Sequence, residues 1–136
     1  METPKKVGNK MSKQITVVTT FHPAGYTKYG ERFLESFAKR VDKRIKLLVY
    51  AEDCKPHNPD PTRIEILDAT QVLPKLNAFK AKWKDVPKAN GDISQDPVRS
   101  KRKDWNKEFK WDAIRFANKT YAVYDACTRS KDWCVW

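Results

Sequence analysis

The chain has 136 residues, 40% of them hydrophobic, including five Trp, five Tyr and six Phe. That is the size of one domain with a real core, and the clustered apolar segments argue against a wholly disordered chain. Lys and Arg number 28 against 17 Asp and Glu, and the resulting net charge of +11 favours anionic partners.

The charge does not choose among nucleic acid, phosphorylated small molecules and acidic surfaces, and a Lys-rich solvated surface with no partner is the plain alternative. Three cysteines, Cys54, Cys127 and Cys134, with no Cys-x-x-Cys pair, argue against a disulfide framework or a structural zinc site. No apolar run approaches the roughly 18–20 residues of a membrane span. A reducing, cytoplasmic location is the expectation.

Residues 1–13 are polar and basic and read as a flexible lead. Gln14-Ile15-Thr16-Val17-Val18-Thr19-Thr20-Phe21 is β-branched and nearly continuous, the pattern of a central parallel strand covered on both faces. His22-Pro23-Ala24-Gly25-Tyr26 punctuates it. A helix is expected over 28–42, with Tyr29, Phe33, Leu34, Phe37 and Val41 on its inner face. A second strand is expected over 45–51, completing a βαβ unit with a right-handed crossover.

Three prolines mark 54–62 as a loop, and the alternation in Arg63-Ile64-Glu65-Ile66-Leu67 predicts a third strand nearer an edge. A helix fits 71–83, with Pro74 in its first turn. Residues 85–104 hold Pro87, Gly91, Pro97 and the basic run Arg99-Ser100-Lys101-Arg102-Lys103. They are expected to form a long loop without secondary structure, less ordered than its surroundings. The strongest helical pattern covers 105–127, with Phe109, Ala113, Phe116, Thr120, Val123 and Cys127 in one apolar row and Ile114, Ala117, Tyr121 and Tyr124 in the next. The chain then turns into Trp133-Cys134-Val135-Trp136, which reads as a strand barely begun, so truncation is expected. Uncovered Trp side chains there point to self-association or to a partner.

Neither a Gly-x-Gly-x-x-Gly fingerprint nor a P-loop is present, and the chain holds only four Gly. His22 and His57 sit in separate loops, no Ser occupies a nucleophile elbow, and no metal site is expected. What remains is the geometry of strand ends. In an open α/β sheet the loops after the first two strands emerge on one edge, where ligands bind. Thr19 and Thr20 offer hydroxyls there, and Glu52 or Asp53 offers carboxylates to a nucleotide; all four are equally readable as ordinary strand and strand-end residues. Lys110 and Arg115 are the other candidates on the last helix; their spacing of five puts them about 140° apart, and Lys110, beside the apolar row of Ile114, must either snorkel or meet an anion. Aromatics interleaved with basic residues over 101–111 also imitate a nucleic-acid contact patch.

Thr19-Thr20-Phe21-His22-Pro23-Ala24-Gly25-Tyr26, with Tyr29-Gly30, Phe33-Leu34 and Ser36-Phe37, resembles the opening of GT-A type glycosyltransferase-like proteins of phage and bacteria. Leu48-Val49-Tyr50-Ala51-Glu52-Asp53 fits the same pattern. Phe109-Lys110-Trp111-Asp112-Ala113-Ile114-Arg115-Phe116, continuing through Lys119 and Tyr121-Ala122, with the closing run Asp132-Trp133-Cys134-Val135-Trp136, resembles the helix and strand before that family's Asp-x-Asp signature. The resemblance implies the Rossmann-like, nucleotide-binding half of such a domain, an α/β fold with a mostly parallel sheet. It implies that Thr20, Phe21, Tyr26, Glu52 and Asp53 hold the nucleotide and that Lys110 or Arg115 meets the donor diphosphate. A full-length relative would use Mn²⁺ or Mg²⁺; the Asp-x-Asp that binds it falls outside this chain, so catalysis by this segment is doubtful. A small basic nucleic-acid- or protein-binding protein is the alternative reading.

Overall fold

The computed structural model describes residues 13–101 and 112–136. Strand β1 (Ile15–Phe21) leads into a short helix, α1 (Pro23–Gly25), a π-helical turn (Tyr26–Gly30) and helix α2 (Glu31–Arg40). Strands β2 (Lys46–Ala51) and β3 (Ile64–Asp68) follow, then α3 (Ala69–Val72), α4 (Pro74–Trp83), α5 (Ala113–Arg129) and β4 (Trp133–Val135). The sheet order is β3-β2-β1-β4 and every pair is parallel. The chain is thus an α/β domain whose strand order reverses between β1 and β4.

Strand alternation divides the core in two. Val18, Leu48 and Tyr50 face α3, α4 and α5, where Ala69, Leu73, Leu76, Ala117, Ala122 and Ala126 close the layer. Phe21, Leu47, Val49 and Ile64 face the other way and pack under Leu34 and Phe37 of α2. The β-branched and aliphatic runs of β1 and β2 form central strands because both of their faces find apolar cover.

The strands and the βαβ unit lie where the sequence puts them, and three helical details differ. The first helix begins at Pro23 rather than near 28, because a π-helical turn carries it off the end of β1 and leaves Tyr29 exposed. The helix expected over 71–83 is broken at Leu73 (φ −118°, ψ 65°), with Pro74 starting a new helix and Asp68 capping the one before it. On α5 the buried stripe is Ala117, Ala122 and Ala126, whereas Phe116 and Tyr124 are 51% and 71% exposed. Small side chains let this helix lie close on β1, and that close approach turns the large aromatics outward. The first turns of the pattern over 105–127 lie outside the described residues up to 111.

Residues 85–101 are richer in structure than expected. They carry two 3-10 turns, Pro87–Ala89 and Arg99–Lys101. The Asn90 side chain donates to the carbonyls of Trp83, Lys84 and Val86, and Asn90 forms a β-bridge with Asp112. Asp96 accepts from the amides of Val98 and Arg99. Side-chain caps replace the apolar packing that the composition could not supply.

Candidate functional site at the carboxyl edge of the sheet

Strand order reverses at β1, and the carboxyl end of that strand faces the start of α5 across a crevice. A cleft of about 720 Å³ lies there, lined among others by Thr20, Phe21, Glu52, Lys80, Arg115 and Lys119. Two depressions on the amino edge, of about 370 and 630 Å³, have neither a strand carboxyl end nor a helix N-terminus to offer.

Each wall has a local cause. The ladder between β1 and β2 continues one step beyond the strands, with the Glu52 amide donating to the Phe21 carbonyl at 2.8 Å, and this draws Glu52 to the end of β1. Phe21 is buried at the centre of an aromatic fan, with the rings of Tyr26, Tyr29 and Phe33 at 6.1–6.4 Å. Gly30 makes that fan possible, since a Cβ there would lie 3.0 Å from the Phe21 ring. The π-helical turn aims Tyr29 at the cleft beside His22, and π-turns recur at functional sites.

Helix α5 supplies the opposite wall. Asp112 caps it, accepting from the Arg115 amide at 2.9 Å. Arg115 and Lys119 are four residues apart, hence on one face. The Lys119 ammonium lies 4.6 Å from the centre of the Trp136 ring, while Arg115 makes no ion pair among the described residues. Asn118 Oδ1 is buried in the cleft wall and accepts no hydrogen bond among the described residues. Across the cleft, Lys80 Nζ meets Glu52 Oε1 at 2.8 Å, both groups roughly one-quarter to one-third exposed.

Of the sequence candidates, the cleft brings together Thr20, Phe21, Glu52 and Arg115. Tyr26 points elsewhere: its hydroxyl accepts from the His57 amide at 3.0 Å and its ring joins the core beneath α2. Asp53 is exposed and takes a left-handed turn (φ 51°) as the chain leaves β2, a conformation Asp tolerates better than most residues. Lys110 lies outside the described residues.

Sequence reasoning did not single out His22, Tyr29, Lys80, Asn118 or Lys119 as site residues. The four-residue spacing of Arg115 and Lys119 was the available signal for Lys119. Lys80 carries no such signal, because its partner is 28 residues away.

Among the described residues no group of three or more His, Cys, Asp or Glu gathers as a metal site. Glu52 is engaged by Lys80 and Asp112 by its own helix, so the donors present do not make a ligand set for a divalent ion. Beside the apolar sides of Phe79, Trp83 and Phe116, a second hollow of about 490 Å³ opens near the cleft. No family model matches this chain, and neither a curated protein nor a solved structure matches it.

Proposed function

We propose that the cleft binds a nucleoside-diphosphate ligand, a nucleotide-sugar being the class that fits best, on a Rossmann-like domain of GT-A type. One observation carries this reading: Arg115 and Lys119 rise from one face of α5 at the point where strand order reverses, beside the ends of β1 and β2. A guanidinium fork and an ammonium are the groups that hold a diphosphate, and the first turn of a helix favours negative charge. The Thr20 hydroxyl and the Glu52 carboxylate offer hydrogen bonds to sugar hydroxyls or a base. The exposed ring of Tyr29 offers a face for stacking. The resemblance of the Thr19–Gly30 and Leu48–Asp53 motifs to GT-A openings supports the same class.

A GT-A relative uses Mn²⁺ or Mg²⁺ to offset charge on the leaving diphosphate. The described residues do not fit such an ion, so the proposal is one of binding alone.

Isothermal titration with UDP- and GDP-sugars, with and without Mn²⁺, tests the proposal. Saturable heat that disappears in Arg115→Ala supports it. No heat at millimolar ligand, from protein shown to be folded by circular dichroism, overturns it. Duplex and single-stranded DNA and RNA at low salt form the comparison. Tight binding there with a steep salt dependence, and none of the nucleotides, would transfer the reading to a basic nucleic-acid-binding protein.

A further inference from the structure

We propose that the cleft takes its diphosphate without a divalent cation, because Lys80, Arg115 and Lys119 supply the positive charge that Mn²⁺ or Mg²⁺ supplies in a GT-A relative. This rests on the diphosphate reading of the cleft. Mn²⁺ and Mg²⁺ are hard ions that take oxygen ligands, carboxylates above all. Among the described residues, Glu52 and Asp112 are the carboxylates that line the cleft, and both are engaged. Glu52 Oε1 is 2.8 Å from Lys80 Nζ, and Asp112 Oδ1 accepts from the Arg115 amide at 2.9 Å. Drawing Asp112 away would uncap α5. A dication at Glu52 would stand against the Lys80 ammonium, like charge against like. Asp53, next to Glu52 in the chain, does not line the cleft, and the lone imidazole of His22 is a poor match for an ion that prefers oxygen.

The cations, by contrast, stand on elements fixed to one another. Arg115 and Lys119 share one face of α5, and Lys80 comes from α4. Leu76 of α4 and Ala117 of α5 lie in the same core layer, and the rings of Phe79 and Tyr121 join the two helices at 5.9 Å. The walls that carry the charge are therefore set before a ligand arrives, which lowers the cost of binding. Glu52, held by its amide bond to the Phe21 carbonyl, steers the Lys80 ammonium. An ammonium has three N–H groups, and the Lys80 side chain is about one-quarter exposed, so it can hold Glu52 and a phosphate oxygen together.

The charges then divide by role. Lys80 offsets Glu52, and the amides of its own helix offset Asp112. A guanidinium and an ammonium, Arg115 and Lys119, remain to face the diphosphate of a nucleotide-sugar. Mn²⁺ already complexed with that diphosphate would cancel the charge these two side chains bind, so the metal should lower affinity or leave it unchanged. Lys80 is a positioning residue that acts through Glu52. Without it, an unpaired carboxylate would face the ligand's phosphates and repel them.

The test is calorimetric titration of the full chain with UDP-glucose and GDP-mannose, once in EDTA and once in Mn²⁺. Binding should be at least as tight in EDTA as in Mn²⁺. Heat that requires Mn²⁺, or tighter binding in its presence, overturns the proposal and leaves the diphosphate reading standing. Heat in neither buffer, from folded protein, overturns both. In EDTA, Lys80→Met should weaken binding about tenfold, and adding Glu52→Gln to it should recover part of that loss, because the repelling carboxylate is gone. Lys80→Arg, which keeps the charge, should bind nearly as wild type, with circular dichroism showing each variant folded. Wild-type affinity in Lys80→Met, or a double variant no better than Lys80→Met, would remove Lys80 from the charge balance and overturn the proposal as stated.

Discussion

At the scale of single residues, Arg63 is the most consequential side chain outside the cleft. It is only 7% exposed and donates to the carbonyls of Phe37, Ala38, Asp42 and Ile45, with Nε on Asp60 at 2.9 Å. Its guanidinium also lies 4.6 Å from the Phe37 ring. One cation thereby satisfies the end of α2, the turn before β2 and the start of β3. Arg63→Met should cost about 3 kcal/mol in denaturant unfolding, because it strands these carbonyls and Asp60 together. Asp60 adds a pH dependence. The Thr62 hydroxyl and Arg63 lower its carboxyl to about 2 in the folded protein, below the usual carboxylate value of about 4. Its contribution is fully present above the unfolded value and is lost as pH falls from about 4 through 2. Subtracting the stability curve of Asp60→Asn from that of wild type should reveal a loss confined to that window.

At the scale of elements, α5 shows how side-chain size sets a helix face. Ala122 and Ala126 are fully buried, and the helix lies close on the sheet because nothing larger stands between them. Ala122→Leu should destabilise by about 1–3 kcal/mol through overpacking, and Tyr124→Ala, at an exposed position, should stay within about 0.5 kcal/mol of wild type. A helix packed on its aromatic rows would give the opposite order in thermal or chemical melts. The same helix starts at a capped end, and Asp112→Ala should cost about 1 kcal/mol.

At the scale of the whole molecule, the parallel sheet creates two unlike surfaces. Its carboxyl edge carries the cleft. If that cleft holds a diphosphate, Arg115→Ala and Lys119→Ala should each weaken binding about tenfold or more while leaving Tm unchanged, as calorimetry and melting on the same samples will show. Beyond β1, on the face that α2 covers elsewhere, Ile15 and Val17 pair with Trp133 and Val135, and Trp133 is 59% exposed. An apolar strip on a domain of this charge should bind a hydrophobic dye. Trp133→Ser with Val135→Thr should lower the fluorescence of anilinonaphthalene sulfonate without loss of helical circular dichroism.

The sequence by itself determined the parallel strands, their adjacency and the βαβ unit. Continuous β-branched runs such as Ile15–Phe21 fit a sheet interior, and that preference is local. It also brought Thr20 and Glu52 into view as candidates, because strand ends can be read from nearby punctuation, while Phe21 came from the family resemblance. Tertiary structure alone decided the rest. Whether α5 buries alanines or aromatics depends on how closely it approaches β1, and both stripes have helical spacing. Lys80 finds Glu52, and Arg63 finds four carbonyls, across folds of the chain that periodicity does not encode.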